Sequence, residues 1–598
     1  MKARSSDGAA RRRLLMSMVK LATDSQIESE TNSQTDSVNG AVNGAAKIVK
    51  LAVSCSLTAL LLVSCADRDR SSGEAAASLK AENDPAYAAY ETPVTLQIGF
   101  KIPDARLITG DTNDNNPMSR YLEQLTNIKV VHSWEAKGDE AFSQKADLAI
   151  ASSDIPDAMV VDRDQLRKLV QYGMIQDLSD SYEMYGSSLM KEMYDATGGA
   201  ALDEARFDGK LYGLPNIAIE ADATSLLWVR KDWLDRLGLQ PPQTLDDIAR
   251  IAQAFVAQDP DGNGKRDTVG LAGYKWLVYG QKLNMSGFDA VFSSYHAFPK
   301  NWIRDASGSV VYGSIAPENK LALEKLAEWY RLGLIDPQFA LYKEPQEPIT
   351  SNRTGLFFGP WWMPYYPLSE AVASDTKAEW RAYAVPLDAE GQYVTHSAPV
   401  TDRYLVVRKG YAHPEAAVKL LNAFTRLERR QDPNEAAVRQ IDEFAAKTGI
   451  QPRQYYPFDL LLDYTDAIEQ RYHSVTDVLA GRRDAGKLDP DSRKIYDYWL
   501  AEQASPKKDM DGWKAAKAYE YGGLALVSRP MERVKSVFYG TTPTMEKRWA
   551  ELEKLENETF LSIVVGDLPI DAFDDFVQQW KAKGGSAITR EVQNLTSR

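Results

Sequence analysis

The sequence predicts an α/β protein in two parts, each built on an open, largely parallel sheet. Two observations carry this: strand-like apolar runs alternate with helix-period segments from residue 93, and the alternation restarts after residue 220. A chain of 598 residues, 44% of them hydrophobic, is long enough for two or three folding units. Pro93 to Phe100 reads as the opening strand, and Asn116-Pro117 starts a helix carrying Tyr121, Leu122 and Leu125 on one face. Ile128 to Val131 is a second strand, followed by a polar helix near Ala141, the run Ala158-Met159-Val160-Val161, and a helix with Leu166, Leu169 and Val170. Asp208-Gly209 marks a hairpin. Ile217-Ala218-Ile219 and Leu226 to Val229 are strand-like, and Thr244 caps a helix whose buried stripe is Ile248, Ile251, Ala252, Phe255 and Val256. Pro414 to Phe424 reads as a helix, as does Asp571 to Lys583, which Gly584-Gly585 ends.

A net charge of −14 argues against nucleic acid as a partner. The two cysteines are Cys55 and Cys65, so nothing beyond residue 65 offers a disulfide, a cysteine zinc site or a thiol nucleophile. The apolar run Leu51 to Val63 follows Lys47 and Lys50. As a helix it spans ~20 Å, short of the ~30 Å hydrocarbon layer, so it reads as a signal-peptide core. Removing residues 1–64 takes away 8 basic and 5 acidic residues and leaves a body of charge −17. Residues 65–92 are polar and Ala/Ser-rich, as expected of a flexible tether. Residues 1–46, with Arg11-Arg12-Arg13, precede a signal that does not need them.

The sharpest motif is Asp259-Pro260-Asp261-Gly262-Asn263-Gly264-Lys265-Arg266-Asp267. Oxygen-bearing side chains stand at positions one, three, five and nine of an EF-hand-type loop, with glycine at six and the Lys265 carbonyl at seven. This predicts structural calcium held by Asp259, Asp261, Asn263, Lys265 and Asp267. The twelfth position, where a bidentate Glu is expected, is Gly270, so the sixth ligand is assigned to Thr268, water or a distant residue. The densest aromatic group runs from Phe357 to Pro367, where three prolines interrupt regular structure. Indole and phenol faces stack on the C–H patches of sugar rings, which makes Trp361, Trp362 and Tyr365, together with Trp228 and Tyr404, candidate ligand contacts. No zinc-protease, serine-hydrolase or phosphate-loop motif is present, and the five histidines are scattered. A glycosidase needs only two carboxylates and leaves no motif to find.

Leu62-Val63-Ser64-Cys65 resembles the lipobox of bacterial lipoproteins, which implies acylation of Cys65. With Leu211-Tyr212-Gly213-Leu214-Pro215, Leu227 to Leu234, the Asp259 loop, Gly355 to Trp362 and His413 to Ala417, the chain from Pro93 onward resembles the solute-binding lipoproteins of carbohydrate ABC importers, in the branch of LplA and the alginate-oligosaccharide-binding proteins. The resemblance implies a two-lobed periplasmic-binding-protein type II fold, two open α/β sheets joined by crossing strands. It places one crossing near Ile219 to Asp222, with Asp222 at the ligand, and a return near Thr395 to Pro399. It implies lobe 1 from 93–220 and 398–520, lobe 2 with the calcium loop from 221–397, and C-terminal helices of 521–598 returning to lobe 2. The implied function is a monomeric, non-enzymatic receptor, lipid-anchored on the outer face of the cytoplasmic membrane, that delivers an oligosaccharide to permease subunits. A secreted polysaccharide-degrading enzyme and a sugar-sensing lipoprotein without a transporter are the other readings; Arg230 and Arg403 are the cations that could offset the acidic body toward uronides.

Overall fold

The structure is a computed structural model that describes residues 84–103, 110–278, 285–448 and 452–597. The signal peptide, Cys65 and most of the tether lie outside the described residues. Residues 81–598 form one compact unit.

Eleven strands organise the lobes: β1 (Val94–Ile102), β2 (Ile128–Lys137), β3 (Ala158–Val161), β4 (Leu214–Pro215), β5 (Leu226–Arg230), β6 (Val269–Leu271), β7 (Thr354–Gly359), β8 (Trp380–Tyr383), β9 (Tyr393–Ser397), β10 (Tyr404–Val407) and β11 (Met531–Lys535). The first sheet has the order β2-β1-β3-β10-β4, with β1 to β3 parallel and the last two antiparallel to their neighbours. Alternation in β1 buries Val94, Leu96, Ile98 and Phe100, the period-2 signature of a strand covered on one face. The second sheet is β8-β5-β7-β6. It is mixed rather than largely parallel, because β5 enters from a crossing and runs antiparallel to both β7 and β8.

The helices that matter here are α1 (Pro117–Thr126), α2 (Asp139–Ser152), α3 (Arg163–Gln171), α4 (Leu245–Ala257), α5 (Asn319–Arg331), α6 (Glu415–Glu428), α7 (Ala467–Leu479), α8 (Pro490–Ala504), α9 (Met510–Lys517) and α10 (Met545–Val564). Thr244 caps α4 reciprocally with Asp247, as its spacing predicts. The chain does not end after Lys583: a kink at Gly584 (φ 130) leads into a further helix, Ser586–Thr596.

Two expected boundaries move. The last residues of the 65–92 tether pack on lobe 1: Tyr87 lies under the Arg426 guanidinium at 3.8 Å, Tyr90 Oη donates to Glu415 Oε1 at 2.7 Å, and Lys419 Nζ and Asn422 Nδ2 of α6 donate to the carbonyls of Ala88 and Ala86. Two tyrosines in a polar stretch suffice to anchor it. The second correction concerns 398–520. The apolar faces of α7, α8 and α9 pack on lobe 2, through clusters that join Trp499 with Trp361, and Trp513 and Tyr521 with Trp228 and Phe357, while α8 also reaches lobe 1 through the Lys494–Asp442 ion pair at 3.3 Å. The return to lobe 1 therefore ends at a third crossing, residues 461–465. α10 packs on α5.

Buried Glu556 of α10 accepts from Tyr312 Oη and Ser314 Oγ, each at 3.0 Å, and burial pushes its carboxyl from 4.5 to about 7. A carboxyl raised in the folded state takes up a proton on folding, so its stabilising contribution is complete below about pH 4.5 and falls by roughly 3 kcal/mol as pH rises to about 7. Glu556→Gln is expected to flatten the pH dependence of urea unfolding across that window and to be more stable than the parent at pH 8. A variant whose stability follows pH as the parent's does contradicts this.

Candidate functional site

The lobes meet where four chain passes run side by side. Asn216 and Ala218 N–H groups donate to the Arg403 and Val400 carbonyls, and Ile217 and Glu220 N–H groups donate to those of Leu461 and Thr465, at 2.9–3.0 Å. β9 pairs in parallel with β11 to supply the fourth pass. A cavity of about 240 Å³ opens on this junction, lined by Thr197, Ala218, Glu220, Val400, Thr465 and Lys535 among others. Glu220 and Lys535 form an ion pair at 3.2 Å beside it. Ala218 and Glu220 face the cavity, whereas Ile219 between them packs in the cluster of Trp361, as alternation along an extended chain requires.

Parallel strands β6 and β7 end on one edge of the second sheet, the edge at which open α/β sheets place ligands. β7 delivers Pro360, Trp361 and Trp362 there, and five residues beyond the end of β6 stands Trp276, which is 51% exposed. In the sequence Trp276 stands between Tyr274 and Tyr279, a smaller aromatic group than the one around Trp361. Trp361 Nε1 donates to Asp222 Oδ1 at 2.8 Å, joining the aromatic turn to the first crossing. Its ring lies 5.1 Å from Tyr519 and meets Tyr365 edge-on at 6.3 Å. Trp362 and Tyr365 are half-buried. Burial pushes the Tyr519 hydroxyl up to about 12, leaving a neutral donor at physiological pH. Gly522 is required by close approach: a Cβ there would lie 2.2 Å from the Trp361 carbonyl oxygen.

Polar groups flank these rings. Arg471 Nη2 contacts both oxygens of Asp463 at 2.9 Å, Arg429 pairs with the same carboxylate, and Asp491 lies 3.4 Å and 3.5 Å from the two arginines. Tyr519, Arg471 and Asp463 are more than 100 residues from the Trp361 turn or from the first crossing and share no motif with them. Only the third crossing brings them in.

Three predicted contacts need correction. Trp228 is fully buried in the centre of the second sheet, with Phe357 stacked at 6.5 Å and its Nε1 donating to the Pro360 carbonyl at 3.0 Å. Strand periodicity could not tell which face it took; it supports the turn before Trp361 from beneath rather than lining a cleft. Arg230 is likewise buried, held by Asp232 at 2.8 Å and Asp375 at 3.0 Å with Trp233 beneath it, so its charge is spent within the fold. Arg403 pairs with Asp459 at 3.1 Å. Tyr404, fully buried like Trp228, stands opposite Val161, the last residue of β3, and lines no cleft either. Its ring is buried, which pushes its hydroxyl up to about 12, near Arg163, Glu204 and Thr401.

The Asp259 loop folds on itself as its spacing predicts. Asn263 Nδ2 donates to Asp261 Oδ2 at 2.7 Å and Asp267 Oδ1 at 3.1 Å, Gly264 N–H to Asp259 Oδ2 at 3.0 Å, and Lys265 N–H to Asn263 Oδ1 at 2.7 Å. Asp259 Oδ1 is buried without a hydrogen-bond partner among the described residues. Burial and the adjoining Asp259 carboxylate push Asp261 up. Convergent oxygens with one orphaned are a donor set that fits a hard divalent cation. The buried Thr268 hydroxyl donates to the Phe255 carbonyl at 2.8 Å, which fixes its oxygen against α4. Position twelve cannot carry a glutamate: a Cβ on Gly270, in β6, would lie 2.1 Å from the Leu334 carbonyl oxygen.

Comparison with known proteins matches residues 109–428 to the model of the bacterial extracellular solute-binding protein family. Lipoprotein LipO of Bacillus subtilis (strain 168) is 23% identical over 509 residues, 83% of this chain and 92% of the relative. The polygalacturonan/rhamnogalacturonan-binding protein YtcQ of the same organism is 22% identical over 489 residues, 79% of this chain and 86% of the relative. The solved structure of the S. pneumoniae ABC-transporter substrate-binding protein FusA, an EF-hand mutant in complex with fructo-nystose, superposes with a TM-score of 0.55 at 16% identity, covering 84% of this chain and 99% of that one. The two-lobed fold is thus that of solute-binding proteins, which bind rather than convert their ligands, and the chain belongs to the bacterial extracellular solute-binding protein family.

Proposed function

We propose that this protein is a monomeric, lipid-anchored receptor on the outer face of the cytoplasmic membrane. It captures an oligosaccharide between its lobes and delivers it to the permease subunits of an ABC importer. The observation that carries the reading is the Trp361–Asp222 hydrogen bond, which ties the aromatic turn, whose Trp361 ring is 7% exposed, to the 3-10 turn Glu220–Ala223 of the first crossing. Trp362 and Tyr365, both half-buried, extend the apolar and hydroxyl-bearing surface beside it. Sugar that touches both lobes only when they are shut shifts the equilibrium toward the closed form. The names of LipO, YtcQ and FusA, a lipoprotein and two binders of saccharides, support the anchor and the ligand class. Calcium, held by Asp259, Asp261, Asn263, Asp267 and the Lys265 carbonyl, braces lobe 2; that one FusA structure is of an EF-hand mutant supports this reading.

Thermal-shift and calorimetric screening of residues 66–598 with neutral and uronide oligosaccharides is expected to find a sugar that raises Tm without being cleaved, and Trp361→Ala is expected to weaken its binding roughly tenfold or more, ~1.4 kcal/mol. Cleavage products, or unchanged affinity in the variant, would count against the reading. Separately, a chelator is expected to lower Tm of the parent, whereas Asp261→Ala starts lower and does not respond. A parent indifferent to chelator removes the calcium brace.

A further inference from the structure

We propose that His296, Asp388 and Glu390 form a second cation site, of zinc-type chemistry and separate from the Asp259 loop. One ligand atom from each lies within 4.8 Å of the others. His296 Nε2 is 3.2 Å from Asp388 Oδ2 and 3.9 Å from Glu390 Oε2. Tetrahedral bonds of about 2.0–2.1 Å set neighbouring donors roughly 3.4 Å apart, so the triad needs little adjustment to hold an ion.

A second observation points the same way. The Asp388 side chain is 2% exposed, and its Oδ1 accepts from the Glu390 and Gln392 N–H groups at 3.0 Å and 2.7 Å, which leaves Oδ2 facing His296. Among the described residues, no lysine or arginine lies within ion-pair distance of Asp388 or Glu390. A carboxylate withdrawn from water, with a second and more exposed one beside it, calls for a compensating charge, which a divalent ion supplies. Imidazole with two carboxylates suits zinc, whereas calcium takes six to eight oxygens. His296 is 49% exposed, so the fourth position faces solvent.

The placement gives the ion a task. His296 follows the helix Asp289–Ser293, which packs on β9, and Asp388 and Glu390 belong to the turn that leads into β9. An ion there clips together two segments that flank the strand pairing with the fourth crossing, and so stiffens the lobe 2 side of the hinge.

The test uses the chain from residue 66 onward, which keeps the whole compact unit and omits both cysteines as competing ligands. Zinc is titrated calorimetrically at pH 7.5 with calcium saturating. One saturable equivalent is expected for the parent, with binding weakened at least about tenfold in His296→Ala and in Glu390→Gln, while metal-free Tm and the calcium response stay as in the parent. No saturable zinc binding below about 100 μM, or parental affinity in His296→Ala, overturns the proposal.

Discussion

The structure depends on one constraint: four chain passes must bond laterally at the junction of the lobes. Asn216, Ile217, Ala218 and Glu220 donate to carbonyls of two different passes, and β9 borrows β11 from the C-terminal region. Each pass is short, and the junction is held by backbone hydrogen bonds between passes and by the cluster of Ile219, Ala221 and Tyr393 with Leu461 and Met531. Such a connection resists separation yet tolerates rotation, because small changes in φ and ψ across several short segments add up to a lobe movement.

From that junction the aromatic turn takes its position. Trp228 fixes the Pro360 carbonyl from below, Gly522 lets a facing helix approach the Trp361 backbone, and Asp222 orients the indole from the crossing. Three elements distant in sequence thus hold one ring, which lowers the entropy lost when a ligand stacks on it. The net charge of the body and the internal pairing of Arg230 mean that any preference for acidic sugars must arise from groups other than that arginine.

Much of this was legible in the sequence where the determinant is local. The Asp259 loop, the Thr244 cap and the opening strand each rest on residues within a dozen positions; the cap and strand appear as read, and the loop folds on its own side chains. The Trp361 turn was legible because three prolines forbid burying all its rings on one helix face. What was not legible lies in long-range packing. Leu226 to Arg230 is apolar throughout, so no alternation could say whether Trp228 faced a cleft or the core. The third crossing at 461–465 has no glycine or proline to mark it, and with it went the assignment of α7 to α9 and the presence of Arg471, Asp463 and Tyr519. Tyr87 and Tyr90 turned the end of a polar stretch into a packed strap through contacts more than 300 residues away.

The central claim is that ligand drives the lobes together about this junction. Because no cysteine lies beyond residue 65, Leu148→Cys on lobe 1 and Leu332→Cys on lobe 2, both at exposed positions, allow spin labels to be placed without background. Electron–electron distance measurements are expected to give a broad distribution without sugar that narrows and shifts to shorter separation when sugar saturates the protein. A distribution that stays the same with sugar demonstrably bound would contradict the account.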